Sequence, residues 1–146
     1  MITQVRHIGI VVEKLDNALE FYRDALGFKV VRVMEENGPF IEKILGLQDV
    51  NVTTVKMSAP DGNLIELLCF KNFKDRTEGE AERKYIFNRG ISHIALTVSD
   101  LELDYQRIKS RGARFISPPQ TNAEGTAKVA FCEDPLGNIL ELVEVL

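Results

Sequence analysis

The chain reads as an α+β protein built from two tandem β-α-β-β-β modules, and three observations predict it. Its only two histidines, His7 and His93, open matching apolar runs, His-Ile-Gly-Ile-Val-Val and His-Ile-Ala-Leu-Thr-Val. Each run is followed by a helix-period stretch and then by three strand-like runs. Each copy closes on a glutamate set in an apolar strand: Glu66 after Pro60-Asp-Gly-Asn63, and Glu141 after Asp134-Pro-Leu-Gly-Asn138.

The elements follow in order. Val12-Glu-Lys-Leu15 and Val98-Ser-Asp-Leu101 occupy the same place in the two copies and begin the helices. In the first, Leu15, Ala18, Leu19, Tyr22 and Leu26 fall at i, i+3, i+4, i+7 and i+11 on one helical face, and Gly27 ends it. In the second, Leu101, Tyr105 and Ile108 make a sparser stripe ended by Gly112. Ser99 with Glu102 three residues on has the form of a capping box. The strand-like runs are 28–34, 50–57 and 64–70 in the first copy, and 113–116, 127–132 and 139–145 in the second. The modules span about residues 1–73 and 90–146 of a single domain, joined by a polar linker at about 74–89. The first copy is longer, mainly between Glu35 and Asp49. There Phe40, Ile41, Ile44, Leu45 and Leu47 predict one side of a short helix, which serves either as a wall or lid of the site or as cover for a sheet edge.

Composition excludes several classes. The 146 residues are 45% hydrophobic and 27% charged, ordinary for a globular domain. No apolar run approaches the roughly 20 residues of a membrane span, and the N-terminus lacks the pattern of a secretory signal. A net charge of -4 argues against nucleic acid as the main partner. Lys71, Lys74, Arg83, Lys84 and Arg89 are interleaved with Asp75, Glu78, Glu80 and Glu82, as in a solvated connection. Cys69 and Cys132 lie inside apolar strand patterns and read as reduced core residues, which points to the cytoplasm.

Strand alternation places the candidate ligands. His7 shares a face with Gly9 and Val11, opposite Ile8, Ile10 and Val12; His93 shares a face with Ala95 and Thr97, opposite Ile94, Leu96 and Val98. The bulky aliphatics face the helix, so the histidine face carries the smaller residues and leaves room for a ligand. Glu66 and Glu141 likewise have Leu and Ile neighbours on the opposite face. A carboxylate in the middle of an apolar strand is costly unless paired or coordinated. Two histidines and two glutamates at equivalent places therefore predict one divalent-metal site with His7, Glu66, His93 and Glu141 as ligands. Nitrogen beside oxygen suits Zn, Ni, Co, Mn or Fe(II) without choosing among them.

These residues resemble the vicinal oxygen chelate superfamily, which includes glyoxalase I, methylmalonyl-CoA epimerase, extradiol dioxygenases and antibiotic-resistance proteins. The resemblance covers almost the whole chain and is carried by Val-Arg-His-Ile-Gly-Ile-Val-Val, by Gly-Ile-Ser-His-Ile-Ala-Leu-Thr-Val-Ser-Asp-Leu, and by the closing strand from Asp134 to Glu144. It implies a cup-shaped eight-stranded mixed sheet with the same four metal ligands, in some members completed across a dimer. Val11 stands where many glyoxalases I carry an arginine, and Glu66 where the epimerases often carry glutamine. The whole-chain pattern lies nearest the epimerase-like branch.

The implied activity is a metal-dependent epimerase or isomerase that abstracts a proton beside a carbonyl and stabilises the enolate on the metal. The base is Glu66 or Glu141, or else a pocket carboxylate such as Glu35, Glu36 or Glu42. A glyoxalase I-like lyase is the first alternative. An extradiol-type dioxygenase and a non-catalytic binding or resistance protein are the alternatives from other classes. The partners expected are a small carbonyl substrate and a second copy of the chain, because curved four-stranded units must cover their edges.

Overall fold

In the computed structural model, which describes residues 1–73, 86–87 and 89–146, the chain divides into two compact units, residues 1–79 and 80–146. Lys74, Asp75, Glu78, Glu80, Glu82, Arg83 and Lys84 of the charged connection lie outside the described residues. The architecture is α+β, with three α-helices and nine strands in two mixed sheets among the described residues.

The first unit runs β1 (Ile8–Val11), α1 (Leu15–Leu19), β2 (Lys29–Asn37), α2 (Pro39–Leu45), β3 (Asn51–Ser58) and β4 (Leu64–Phe70). Its sheet has the order β1-β4-β3-β2, with β1 parallel to β4 and the other neighbours antiparallel. Helix α1 continues as a π-helical stretch, Glu20–Ala25, in which the Leu26 N–H donates to the Phe21 carbonyl at 2.9 Å. Ala18, Phe21, Tyr22 and Ala25 are buried on the helix. On the strands, Ile10, Val55, Met57, Ile65 and Leu67 are buried as well, all on the face opposite Glu66. This is the packed side that the alternation of His7 and Glu66 with bulky neighbours predicts.

The second unit runs β5 (Ile94–Thr97), α3 (Leu101–Ser110), β6 (Arg114–Phe115), β7 (Gln120–Thr121), β8 (Ala127–Glu133) and β9 (Ile139–Val145). Its sheet has the order β5-β9-β8-β6, and the short β7 also pairs with β8. Again the first strand runs parallel to the last. Leu101, Ile108, Ala130, Cys132, Leu140 and Leu142 are buried, the strand members on the face opposite Glu141.

Two local details, the cap of α3 and the facing of α2, differ from the sequence reading. The start of α3 is capped by Asp100, whose Oδ1 accepts from the Leu103 N–H at 3.0 Å, rather than by Ser99. Glu144 on β9 accepts from the Leu101 N–H at 2.9 Å, so the helix start is also tied to the sheet. Helix α2 forms within the predicted segment, but its apolar residues do not share one side. Ile41 is 7% exposed and packs with Val50 and Val52, against which Leu68 and Phe70 lie, whereas Phe40 is 74% exposed and Ile44 also faces out.

Both closing strands are set by the same turn chemistry. Asp61 Oδ1 accepts from the Asn63 N–H at 2.9 Å, and Asp134 Oδ1 accepts from the Leu136 and Asn138 N–H groups at 2.9 and 2.8 Å. Gly62 and Gly137 sit within these turns at φ 87° and 82°, in the left-handed region where a side chain is strained. The turns fix the register that sets Lys56 opposite Glu66 and Phe131 opposite Glu141.

Candidate metal half-sites

Each unit brings one predicted histidine to one predicted glutamate. In the first, Gly9 lies in register with Glu66 on the parallel β1–β4 pair, and His7 stands two residues earlier, just before the strand begins. His7 Nε2 lies 3.1 Å from Glu66 Oε2. In the second, Ala95 lies in register with Glu141, and His93 again immediately precedes its strand. His93 Nε2 lies 3.2 Å from Glu141 Oε2. The small residue in each parallel pair keeps the space above the glutamate free of side chain. At Gly9 an added Cβ would already meet Leu68 Cδ1 at 3.3 Å.

The surroundings of the two pairs differ. Ser92 Oγ lies 2.8 Å from His93 Nδ1, within hydrogen-bond reach, so the hydroxyl orients the ring whose Nε2 faces Glu141. Arg6 occupies the corresponding position before His7, and His7 Nδ1 is buried with no hydrogen-bond partner among the described residues. Phe131 packs edge-on against the His93 ring, with centroids 5.5 Å apart. In the first unit the equivalent place is taken by Lys56, whose Nζ lies 3.3 Å from Glu66 Oε1. Sequence reasoning missed Ser92, Lys56 and Phe131. The strand register, once known, identifies Lys56 and Phe131, and adjacency to His93 identifies Ser92.

The donor chemistry of each half suits a divalent ion: an imidazole Nε2 beside a carboxylate oxygen, with the apolar packing on the far face of the sheet. Each half supplies two donors, and no group of three or more His, Cys, Asp or Glu side chains gathers among the described residues.

Of the pocket carboxylates, Glu35 belongs elsewhere. It lies in register with Thr53, on the sheet face opposite Glu66, where it accepts from Thr53 Oγ1 at 2.7 Å and pairs with Lys71. The Lys71 hydrogen bond, then that of Thr53, holds its carboxyl below the usual range. Glu36 lies in register with Val52 on the Glu66 face, and Glu42 sits in the first turn of α2. Helix α2 covers that same face, since Val52, Leu68 and Phe70 around Ile41 all alternate in phase with Glu66 or its partner Lys56. Its position fits the wall or lid reading of the inserted segment.

Cys69 and Cys132 are both free thiols. Cys132 is fully buried, and burial, followed by the nearby Asp134 and Glu133 charges, pushes its thiol up to about 12. No helix among the described residues is long and apolar enough to cross a membrane.

Comparison with known proteins adds a consistent set of likenesses. The family model described as Glyoxalase/Bleomycin resistance protein/Dioxygenase superfamily matches residues 4–142. A probable lactoylglutathione lyase of Synechocystis is 30% identical over 139 residues, covering 94% of this chain and 92% of its own. A lactoylglutathione lyase of Neisseria meningitidis is 27% identical over 139 residues, covering 94% of this chain and 88% of its own. Among solved structures, a glyoxalase family protein from Bacillus cereus superposes with a TM-score of 0.86 at 24% identity, covering 100% of this chain and 96% of that one, a likeness of fold.

Proposed function

The chain belongs to the Glyoxalase/Bleomycin resistance protein/Dioxygenase superfamily, and on that premise we propose that it is a divalent-metal-dependent isomerase or lyase that moves a proton beside a substrate carbonyl. The observation that carries the reading is the repeated pair: His7 with Glu66 at 3.1 Å and His93 with Glu141 at 3.2 Å, each glutamate on the sheet face opposite Ile65 and Leu67 or Leu140 and Leu142. In this reading His7, Glu66, His93 and Glu141 are metal ligands, and a divalent ion held by them would supply a Lewis acid for the substrate carbonyl.

The chain's own residues do the rest. His7 and His93 would hold the ion through Nε2, and the Ser92 hydroxyl, within hydrogen-bond reach of His93 Nδ1, orients that ring. Glu66 or Glu141 takes the proton from the carbon next to the carbonyl and returns it to the product. Helix α2, anchored through Ile41 on the Glu66 face, keeps water from that side. The partner chemistry is a small carbonyl compound, and the protein assembles as a homodimer, for which light scattering that finds only fully active monomer is the contrary result.

Within this reaction class the glutathione hemithioacetal is the substrate to try first, because the named relatives cited above are lactoylglutathione lyases. The methylmalonyl-CoA epimerase-like reading rests on the sequence pattern alone, with an acyl-CoA thioester as its substrate. Solvent-deuterium exchange separates the classes. The expected result is anaerobic wash-in of deuterium beside the carbonyl of one of these substrates, lost on chelation of the metal. Exchange that persists without metal contradicts the mechanism. A strict need for oxygen and iron would indicate a dioxygenase, and binding without exchange a sequestering protein.

A further inference from the structure

The two half-sites differ at the cross-strand position opposite the glutamate, and in the first unit that position carries a charge. β3 sets Lys56 opposite Glu66, and β8 sets Phe131 opposite Glu141. Both oxygens of Glu66 are engaged by the chain itself, Oε2 by His7 at 3.1 Å and Oε1 by Lys56 at 3.3 Å. Phe131 offers Glu141 no donor and packs against the His93 ring instead. The Lys56–Glu66 pair is not a loose surface contact, because the side chains are only 27% and 12% exposed. A second cation, Arg32, lies in register with Lys56 one strand further out and is exposed.

We infer that Lys56 is the resident counter-ion of Glu66, which a divalent ion must displace from that carboxylate, so that Lys56 sets the affinity of the proposed metal centre. The inference rests on the metal reading above. A divalent ion at a carboxylate-ligand distance of roughly 2.0–2.2 Å would share Glu66 with an ammonium already within salt-bridge reach. Two cations on one partly buried carboxylate repel, and the ammonium must swing away or weaken the metal. Glu141 carries no such competitor among the groups in register with it, so the second half-site holds its ligand carboxylate free for the ion.

The test is the Zn²⁺ affinity of the full chain, measured by competition with a chromophoric chelator, for the wild type, Lys56→Met, Lys56→Arg and Arg32→Met. Thermal melting of the metal-free proteins is measured alongside. Lys56→Met is expected to tighten Zn²⁺ by about tenfold or more, Lys56→Arg to stay near the wild type, and Arg32→Met to change it by less than about threefold. Metal-free Lys56→Met should also melt below the wild type, because Glu66 loses its cation. If that variant fails to fold, Lys56→Gln is read in the same way. Equal or weaker Zn²⁺ binding by the neutral variant, with the wild type binding well, overturns the role of Lys56 and leaves the metal centre standing. Absence of Zn²⁺ binding in every variant overturns both.

Discussion

Ser92 Oγ lies 2.8 Å from His93 Nδ1, on the side of the ring away from the Nε2 that faces Glu141. A hydroxyl in that place orients the ring, and by accepting from Nδ1–H it would favour the tautomer whose Nε2 can ligate. Ser92→Ala should therefore weaken Zn²⁺ binding by about tenfold or more while leaving the melting temperature of the metal-free protein within a few degrees. An unchanged affinity would mean that ligation by His93 does not depend on Ser92.

Helix α2 makes a second, graded expectation. Ile41 is buried with Val50 and Val52, whereas Phe40 is mostly exposed. Ile41→Ala should cost about 2 kcal/mol or more in unfolding free energy, and Phe40→Ala should stay within about 0.5 kcal/mol. If the lid role holds, Phe40→Ala and Ile44→Ala still weaken substrate binding without changing metal content. Denaturant unfolding and substrate titration separate the two effects.

Much of this fold was legible because the repeat is written into the chain twice. The histidines, the helix stripes and the Asp-Gly-Asn turn chemistry each predict an element that forms. Alternation around His7, Glu66, His93 and Glu141 also places the packed face correctly, because bulky and small neighbours differ sharply there. Less was legible where several residues compete for one role. Ser99 and Asp100 both cap well, and the geometry of the helix start selects Asp100. Phe40, Ile41 and Ile44 are all apolar, and only the placement of α2 on β3 decides that Ile41 faces in. Glu35 looks like a site carboxylate by proximity in sequence, yet β2 pairing turns it to the other face. Lys56 and Ser92 were missed because a search for ligand types overlooks the groups that orient ligands.

Glu35 gives a pH dependence with a definite sign. Its carboxyl is held below the ordinary value by Lys71 and then Thr53, so the folded state favours the anion. That contribution is present above the unfolded carboxylate range and is lost as pH falls through the lowered folded value. Glu35→Gln should lower stability near neutral pH and converge on the wild type in acid. Urea midpoints measured from pH 7 down to pH 3 check this, and a constant difference across the range would count against it.

The two thiols should react very differently. Cys132 is buried and its thiol is pushed up to about 12, whereas Cys69 is half-buried, with its Sγ 3.6 Å from the Glu13 carbonyl oxygen. A thiol-specific chromogenic disulfide at pH 8 should label Cys69 alone in the native protein and both thiols in denaturant. Rapid labelling of Cys132 in the native state would contradict the packing of the second unit.

The most direct test of the account is metal stoichiometry in the wild type and in one-residue knockouts of each half-site. Elemental analysis and Zn²⁺ titration should find one ion per chain, lost from Glu66→Ala and from His93→Ala alike, with both variants keeping their circular-dichroism spectra and cooperative melting. One ion bound as tightly in either variant as in the wild type would show that the substituted residue is not a ligand of that ion.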